Sequence, residues 1–593
     1  MDRGFKYRQV LQQHSASGSQ YPATMVSTFN LGCIVGIVAA CSYLLYRVAL
    51  PKPIAGIPYN KHSAARMFGD VPDALSWYRK RQELFSYLAA QTVKLNSPIV
   101  QVFLRPFGKP WVILADFREA QDIMVRRTRE FDRSDFFGDL FFTLGPGNQV
   151  HMPTGDEWRA HRKLMADTMS NSFLHDVIGP QIHSTALDII ELWKQKTRLA
   201  DGRPFDATKD VYKGALDVIW AATFGSEVGT TKNQVALLSE TSEVKLAQEK
   251  DTAVTFPTAK DPEAFTALMT LSDTIEIALH SPVPRWHHWL VLQLTPSLRT
   301  ALKSRDALLT ERLTASYEQF REGEKEGSLK SAMDLVVQRE TIMARKEGRK
   351  PQYDTMAIRD ELLGFLIAGH ETTSTTLCWA IKFLTAHQNI QEKLRSALNE
   401  AFSRAKSVGE NPTIEDIVKS HIPYLDATIE ETHRCGGTVS SNIRRAKEDA
   451  EVLGTIIPKG TDVFMVTNGP GYMEAPLHID ESKRSKTSQE SKDKNGMWEV
   501  SDIGVFKPER WLIRNEDGQT DFDARAGPAQ PFGAGPRGCF GRKLASLELK
   551  IIVVLIIWNF RLLPTPPQLS SFLGQDKITH TPQQCYLRLA EVR

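Results

Sequence analysis

The most informative stretch of this 593-residue sequence is Phe532-Gly-Ala-Gly-Pro-Arg-Gly-Cys-Phe-Gly541. It places one cysteine, Cys539, on a short glycine-rich loop, and a strongly apolar helix is predicted directly after it, over residues 544–558. The glycines allow backbone conformations that other residues avoid, so a flat ligand can approach the chain closely. Arg537, Arg542 and the start of the helix are positive neighbours, which would keep the thiol of Cys539 deprotonated. A thiolate in this setting is suited to be an axial ligand to an iron.

This loop resembles the haem-binding loop of the cytochrome P450 family, which reads Phe-x-x-Gly-x-Arg-x-Cys-x-Gly. The fixed positions match as Phe532, Gly535, Arg537, Cys539 and Gly541. The resemblance implies that Cys539 is the proximal ligand of the iron of haem b, and that Phe532, Arg537 and Gly541 contact the haem.

The residues of the loop also allow two other interpretations. A buried cysteine often serves only as a small apolar side chain. The loop also contains Gly-x-Gly-x-x-Gly at 533–538, but a dinucleotide-binding loop needs a preceding strand and an acidic residue about 20 positions later. Here residues 527–531 read Gly-Pro-Ala-Gln-Pro, and Trp558 and Asn559 occupy the later position. Dinucleotide binding is therefore rejected, and the structural cysteine stays open.

Composition and charge exclude several other classes of protein. The chain has 41% apolar and 24% charged residues, which is typical of a globular protein. Its net charge of +3 gives no sign of nucleic-acid binding. The 6 cysteines lie far apart without zinc-ligand spacing, which suits a reduced, cytosol-facing environment.

The N-terminal region is predicted to anchor the chain in a membrane. Residues 1–24 are typical of a polar tail, and the uncharged run 25–46 would form a transmembrane helix of about 33 Å, enough to cross a bilayer core. A cleaved signal peptide would be shorter and closer to the N-terminus. Basic residues just after the run favour a cytosolic C-terminal side. Residues 47–58 form a proline-rich linker before a catalytic domain over 59–593, and the resemblance implies a single-pass protein of the endoplasmic reticulum membrane.

Two further motifs resemble haem contacts of the family. Trp158 and Arg162 stand four positions apart on a predicted helix, so they share one face. The resemblance implies that both side chains hold a haem propionate. It also implies that an arginine at 444 or 445 meets the second propionate. We favour Arg444, and Arg445 stays an alternative because the preceding residues 435–441 depart from the commonest family pattern.

The longest predicted helix, residues 356–384, contains an Ala-Gly-His-Glu-Thr-Thr segment that resembles the oxygen-binding segment of the family. The resemblance implies that Ala368 and Gly369 open space beside the haem. It also implies that Glu371 and Thr372 are catalytic, because they would deliver protons to the reaction. The structural alternative is a threonine that only bonds back to its own helix turn.

Three charged residues are predicted to support the cysteine loop. Glu431 and Arg434 share a helix face, and Arg510 of Phe-Lys-Pro-Glu-Arg-Trp would complete a buried Glu-Arg-Arg cluster in the family. A solvated surface pair is the alternative interpretation. The lysine- and serine-rich run 482–495 is predicted to be a solvated loop insertion, with a partner-binding segment as the alternative.

The motifs follow the family order over about residues 50–593. They imply a cytochrome P450 fold, mainly α with small β-sheets, forming a single large haem domain. The implied function is a monooxygenase that activates O2 with electrons from NADPH through a separate flavoprotein reductase. It would hydroxylate or epoxidise an apolar organic substrate, in fungal secondary-metabolite biosynthesis.

Other functions within this fold stay open. One is a fatty-acid or xenobiotic hydroxylase of the same family. A second is a thiolate-haem isomerase or dehydratase that needs no reductase, although the Glu371-Thr372 pair argues against it. A third is a non-enzymatic haem sensor or carrier, for which an oxygen groove would have no purpose.

Overall fold

The structure is a computed structural model that describes residues 23–321 and 329–592, with side chains from Cys33 onward in the first helix. Most of the predicted polar tail, residues 1–22, lies outside these residues. Helices dominate the described part of the chain. They are α1 (Ala23–Ala49), α2 (Lys61–Ala64), α3 (Val71–Arg81), α4 (Leu84–Lys94), α5 (Phe117–Val125), α6 (Asp135–Phe141), α7 (Asp156–Met165), α8 (Gly179–Ala200), α9 (Thr208–Phe224), α10 (Thr230–Glu240), α11 (Glu263–Asp273), α12 (Ile275–Leu279), α13 (Pro284–Leu294), α14 (Pro296–Arg321), α15 (Ala332–Lys346), α16 (Met356–Ala386), α17 (Gln388–Ala401), α18 (Ser403–Val408), α19 (Ile414–Lys419), α20 (Pro423–Gly436), α21 (Lys486–Gln489) and α22 (Arg542–Asn559).

The strands are short and form small sheets. They are β1 (Ile99–Val102), β2 (Trp111–Leu114), β3 (Phe131–Arg133), β4 (Phe205–Asp206), β5 (Ser441–Ala446), β6 (Ala450–Val452), β7 (Thr455–Ile457), β8 (Asp462–Val466), β9 (Leu512–Arg514), β10 (Thr520–Phe522), β11 (Phe560–Leu563), β12 (Gly574–Asp576), β13 (His580–Pro582) and β14 (Tyr586–Glu591). The largest sheet has the order β1-β2-β8-β5-β3, in which β2 and β8 are parallel and the other pairs antiparallel. The predicted mainly helical fold with small sheets is therefore confirmed.

Helix α1 covers the predicted anchor segment 25–46. The transmembrane part of that prediction is not confirmed. Within residues 23–321 and 329–592, no helix combines the length and the apolar character needed to cross a bilayer.

Helix α16 is the central element of the core. The hydroxyl of Thr355 caps its first turn by accepting the amide of Ile358, which satisfies an otherwise unpaired N–H group. Its middle crosses α9 so closely that a Cβ added to Gly369 would lie 2.6 Å from Cγ1 of Ile219. The absence of a side chain at Gly369 therefore also permits the close approach of α9. The apolar helix α22, which follows the cysteine loop, packs against both α8 and α16.

Residues 484–491, in the middle of the run predicted to be solvated, dock on α5. The guanidinium of Arg484 donates to both carboxylate oxygens of Asp116, at 2.6 and 3.0 Å. The hydroxyls of Ser485 and Thr487 donate to one oxygen of Asp122, at 2.6 and 2.9 Å. Ser488 is fully buried. The prediction of a solvated loop is therefore wrong for the part of this segment that contacts α5, whereas Lys486, Gln489 and Glu490 are exposed.

Candidate active site

A cavity of about 390 Å³ lies between the cysteine loop, α16 and β5. All of the predicted haem contacts line it, together with Cys539 and one of the two predicted catalytic residues, Thr372. They are Trp158, Arg162, Ala368, Gly369, Thr372, Arg444, Phe532, Arg537, Cys539 and Gly541. Residues that are far apart in sequence thus converge on one cavity.

The backbone of the cysteine loop is held by its own hydrogen bonds and by α5. The amide of Cys539 donates to the carbonyl of Phe532 at 2.8 Å. Gly535 has φ +70°, and a Cβ there would lie 2.1 Å from the carbonyl oxygen of Met124. Gly533 also has a positive φ, of +63°. These two glycines are needed for their conformation, whereas Gly541 has an ordinary φ of −82°.

That positive neighbours keep Cys539 deprotonated stays a prediction, and the surroundings of the thiol act on it in two directions. Burial raises the pKa of the Cys539 thiol above its ordinary value, although the amide of Gly541 and the guanidiniums of Arg162 and Arg542 act in the opposite direction. A bound metal ion supplies the additional positive charge that deprotonates a coordinating thiol outright.

Three arginines crowd one end of the cavity. Burial, and then Arg444 and Arg537, lower the pKa of Arg133 to about 9. Burial also lowers the pKa of Arg444 and of Arg537 to about 10 each. Nη1 of Arg537 is buried without a hydrogen-bond partner among the described residues. Such a cluster, with Asp132 as a nearby carboxylate, is suited to bind a ligand that carries several negative charges.

Arg444 and Arg445, the two candidates for contact with the second propionate, have different surroundings. Arg444 is buried, lines the cavity and pairs with Arg133 in the register of β3 and β5. Arg445 donates instead to both oxygens of Asp462, at 2.8 and 2.9 Å. Arg133 was not predicted, because a three-residue strand carries no periodic signal and the role of this residue depends on a distant partner.

The two side chains predicted on α7 meet the cysteine loop. The guanidinium of Arg537 lies over the ring of buried Trp158, 4.6 Å from its centroid. The guanidinium of Arg162 lies 4.8 Å from the centroid of the ring of Phe540. Cation–π contacts of this kind fix both guanidiniums beside the cavity.

Glu371 and Thr372 point in different directions. The hydroxyl of Thr372 lines the cavity but donates to the carbonyl of Ala368 at 2.8 Å, as in the structural alternative. Glu371 is buried away from the lining and accepts a bond from the hydroxyl of Thr579 at 3.3 Å. Burial, as the largest cause, raises the pKa of Glu371 to about 7. Glu371 can therefore change its protonation state near neutral pH.

The structure adds an acid that sequence reasoning missed. Glu548 of α22 lines the cavity, is 1% exposed and has an oxygen without a hydrogen-bond partner in the described residues. Burial raises the pKa of Glu548 to about 8, and a bond from Thr373 lowers it only in part. A single carboxylate in a helix made mostly of apolar residues was the signal that could have identified it.

We expect Glu548→Gln to change how stability depends on pH. The pKa of Glu548 rises from 4.5 to about 8 on folding, so its contribution to stability is fully present below pH 4.5 and is lost as the pH rises through 8. At about 1.4 kcal/mol per pKa unit, the free energy of unfolding of the variant should rise, relative to that of wild type, by up to about 4 kcal/mol between pH 5 and pH 8. Denaturant unfolding at both pH values measures this gain. Parallel pH profiles for the two proteins would contradict it.

The predicted support residues form a buried cluster at one end of α20, which we call the Glu431 cluster. Its carboxylate accepts bonds from Arg434 at 2.7 and 2.8 Å and from Arg510 at 3.0 Å. The indole of Trp511 and the backbone amide of Lys507 donate to it as well, at 2.9 and 2.8 Å. All three charged groups are nearly inaccessible, so this is not a solvated surface pair.

The lining of the cavity fits a haem. The loop presents a thiol, the arginine cluster offers positive charge and one buried donor without a partner, Nη1 of Arg537, and Ala368 of α16 lines the cavity from the other side. A flat dianionic porphyrin matches this combination of a soft ligand, positive charge and apolar surface.

Comparison with known proteins agrees with this geometry. The family model described as Cytochrome P450 matches residues 73–472 and 501–587, and the unmatched interval contains the docked segment 484–491. The chain is 44% identical to cytochrome P450 monooxygenase GME11363 of Pestalotiopsis microspora, over 96% of this chain and 99% of the relative. It is 38% identical to cytochrome P450 monooxygenase TRI13 of Fusarium sporotrichioides, over 93% of this chain and 97% of the relative.

The fold itself is also found among solved structures. A crystal structure of the cytochrome P450DA haem domain superposes with a TM-score of 0.64, covering 92% of this chain and 99% of the other, at 17% identity. That likeness supports the architecture, and the two fungal relatives support the activity. The chain therefore belongs to the cytochrome P450 family and is a monooxygenase of that family.

Proposed function

We propose that this monooxygenase hydroxylates or epoxidises an apolar organic substrate in fungal secondary metabolism. Its electrons would come from NADPH through a separate flavoprotein reductase, and O2 would be the co-substrate. The observation that carries the proposal is the cavity, which combines the thiol of Cys539 with apolar side chains. The apolar members of the lining include Phe137, Phe141, Phe365, Val439 and Ile578. The fungal origin of the relatives supports the biosynthetic context.

In this proposal Cys539 is the ligand of the haem iron. A thiolate-ligated haem supplies the oxygen chemistry, because the ligand donates electron density that favours O–O cleavage. The residues of the chain bind and orient that group. The propionates of the haem would be held by Trp158, Arg162, Arg444 and Arg537. The rest of the haem would contact Phe532, Gly541, Ala368 and Gly369.

Proton delivery is the second task of the protein in this proposal. Glu371 has a pKa of about 7 and can both take up and release a proton at physiological pH. The hydroxyl of Thr372 faces the cavity and could turn from the carbonyl of Ala368 towards a ligand. The Glu431 cluster takes no part in the chemistry and supports the cysteine loop.

We expect Arg444→Ala to reduce haem retention and Arg445→Ala to leave it unchanged. Arg444 belongs to the buried cluster at the cavity, so its loss should lower the haem content of the purified protein several-fold. Arg445 is paired with Asp462, so its loss should leave the haem content near that of wild type. The ratio of haem absorbance to protein absorbance measures both. Loss of haem in the Arg445 variant alone would reverse the assignment.

A membrane location is also part of the proposal. Helix α1 exposes apolar side chains, among them Ile34, Val35, Ile37, Val38, Leu44 and Leu45. Such a surface is suited to contact lipid, and we propose that it holds the enzyme at the endoplasmic reticulum with the catalytic part in the cytosol. Recovery of the full chain in the microsomal fraction after a carbonate wash is the expected result, and recovery in the supernatant would contradict it.

The decisive test of the activity is turnover with purified holoenzyme. Product formation should require NADPH, O2 and the flavoprotein reductase together. Product formed from a peroxide substrate without the reductase would indicate an isomerase or dehydratase. A screen for substrate-induced spin-state change with polyketides, terpenes, alkaloids and fatty acids then separates a biosynthetic enzyme from a fatty-acid hydroxylase.

A further inference from the structure

The carboxylate of Glu371 does not line the cavity. It is 8% exposed, and the neighbouring residues Thr372 and Thr373 line the cavity while Glu371 does not. The hydrogen bond that connects it to a residue of the lining comes from Thr579, whose hydroxyl lies 3.3 Å from Oε1. A polar route from Glu371 to the cavity therefore passes through Thr579.

Thr579 is held firmly at this position. It lies in the turn between β12 and β13, and its carbonyl accepts the amide of Lys577 at 2.9 Å. Its hydroxyl is 2.7 Å from that of Thr375 on α16, which is in turn 2.9 Å from the hydroxyl of Tyr212. At 4% exposure, the Thr579 side chain has little freedom to leave this network.

Charged groups near the protein surface influence Glu371 from outside the cavity. Lys577 lowers its pKa, whereas Asp273 and Glu276 raise it. The ammonium of Lys577 lies 3.5 Å from a carboxylate oxygen of Glu276, and both side chains are partly exposed. His370, whose Nε2 is 3.7 Å from Glu371, is buried with a pKa lowered to about 4 and is therefore neutral. Asp273, Glu276 and Lys577 are therefore the charged groups that act on Glu371 from the side of the protein surface.

We propose that Thr579 is the relay residue that passes protons from Glu371 into the cavity. The carboxyl of Glu371 gives its proton to the oxygen of Thr579 while the hydroxyl proton of Thr579 moves into the cavity. The resulting Glu371 carboxylate regains a proton from solvent through the group formed by Asp273, Glu276 and Lys577. No electrons are transferred in these steps. The inference rests on the proposed role of Glu371 as a proton donor.

The hydrogen-bond network is compatible with this transfer. The hydroxyl of Thr375 can donate to Thr579 at 2.7 Å, which frees the Thr579 proton to point into the cavity. Tyr212 can donate to Thr375 in the same sense and stays protonated, because burial raises its pKa well above its ordinary value. The route also avoids Thr372, whose hydroxyl is already bonded to its own helix.

Thr579→Val tests the relay, because it removes the hydroxyl at nearly constant volume. We expect NADPH consumption to continue while the share of it released as hydrogen peroxide rises several-fold and product falls. Thr579→Ser should restore wild-type coupling. Thr581→Val is the matched control, since Thr581 lies on the same hairpin, is equally buried and bonds only weakly to a backbone carbonyl. Wild-type coupling in the valine variant would overturn the proposal.

A spectroscopic readout tests the contact without turnover. The infrared carboxyl band that disappears in Glu371→Gln belongs to Glu371. We expect this band to move to higher frequency in Thr579→Val and to stay unchanged in Thr581→Val, because only the first variant removes its hydrogen bond. An unmoved band would overturn the contact. Thr579→Ala replaces the valine variant if valine lowers the haem content.

Glu371→Gln separates the proposed role of Glu371 as proton donor from the proposed role of Thr579 as relay. If this variant stays fully coupled, the proposed role of Glu371 fails and the relay fails with it. If it releases peroxide while Thr579→Val does not, Glu371 is the donor and only the relay through Thr579 is overturned. If both variants release peroxide and the serine variant does not, the relay is supported.

Discussion

Cys539→Ala is expected to yield a folded protein without haem and without the carbon monoxide difference spectrum of a thiolate-ligated iron. Cys539 is the cysteine that lines the cavity, whereas Cys378 and Cys585 are buried elsewhere in the core. Without the thiolate ligand, the porphyrin would be held only through its own propionate carboxylates, by the arginine cluster. Absorbance of the purified protein, before and after reduction under carbon monoxide, measures the loss.

The matched control for this experiment is Cys41→Ala. Cys41 lies exposed on α1 and its loss should leave the haem content and the spectrum unchanged. A Cys539→Ala protein that keeps its porphyrin and the wild-type spectrum would refute the assignment of the ligand. It would also restore the interpretation of Cys539 as a structural cysteine.

Glu431→Gln is expected to lower the free energy of unfolding by about 3–5 kcal/mol, because it leaves the buried guanidinium of Arg434 without an ion-pair partner and that of Arg510 with Asp502 alone. The carboxylate of Glu431 is fully buried and accepts bonds from Arg434, Arg510 and Trp511. Denaturant unfolding measures the change. Haem content should fall with stability, since His433 of the same helix contacts the ring of Phe532 in the cysteine loop.

Glu415→Gln provides the control for this variant. Glu415 pairs with Lys419 on α19, and both side chains are more than two-thirds exposed. Exposed ion pairs contribute about 0–1 kcal/mol, so the control should unfold almost as wild type does. A Glu431 variant that loses no more stability than the Glu415 variant would show that the buried cluster carries no net stabilising energy.

Local motifs made much of the site predictable. The residues from Phe532 to Gly541 are contiguous, so their sequence fixes the geometry of the loop that presents Cys539. The pair Trp158 and Arg162 lies on one helix face, and their helical spacing places both at the loop. The long apolar pattern of α16 likewise predicted its extent closely, from 356–384 expected to Met356–Ala386 observed.

The features that were missed depend on contacts between distant parts of the chain. Arg133 matters because β3 pairs with β5, which brings it beside Arg444. Residues 484–491 have a composition typical of a solvated loop, but their partners are carboxylates of α5, more than 350 positions earlier in sequence. Thr579 lies in an ordinary hairpin turn, and only its distance from Glu371 distinguishes it. No local pattern encodes such relations.

Helix α5 lies between two neighbours that have no sequence relation to each other. On one side, Arg484 forms an ion pair with Asp116, the residue directly before the helix. Ser485 donates a hydrogen bond to Asp122 within it. On the other, the carbonyl of Met124 leaves room at position 535 for glycine alone. Engineers who shorten this enzyme for crystallography, or who graft its catalytic core into a chimera, should therefore keep residues 484–491. Deleting them would remove Arg484, the ion-pair partner of Asp116, from the start of the helix that braces the haem-binding loop.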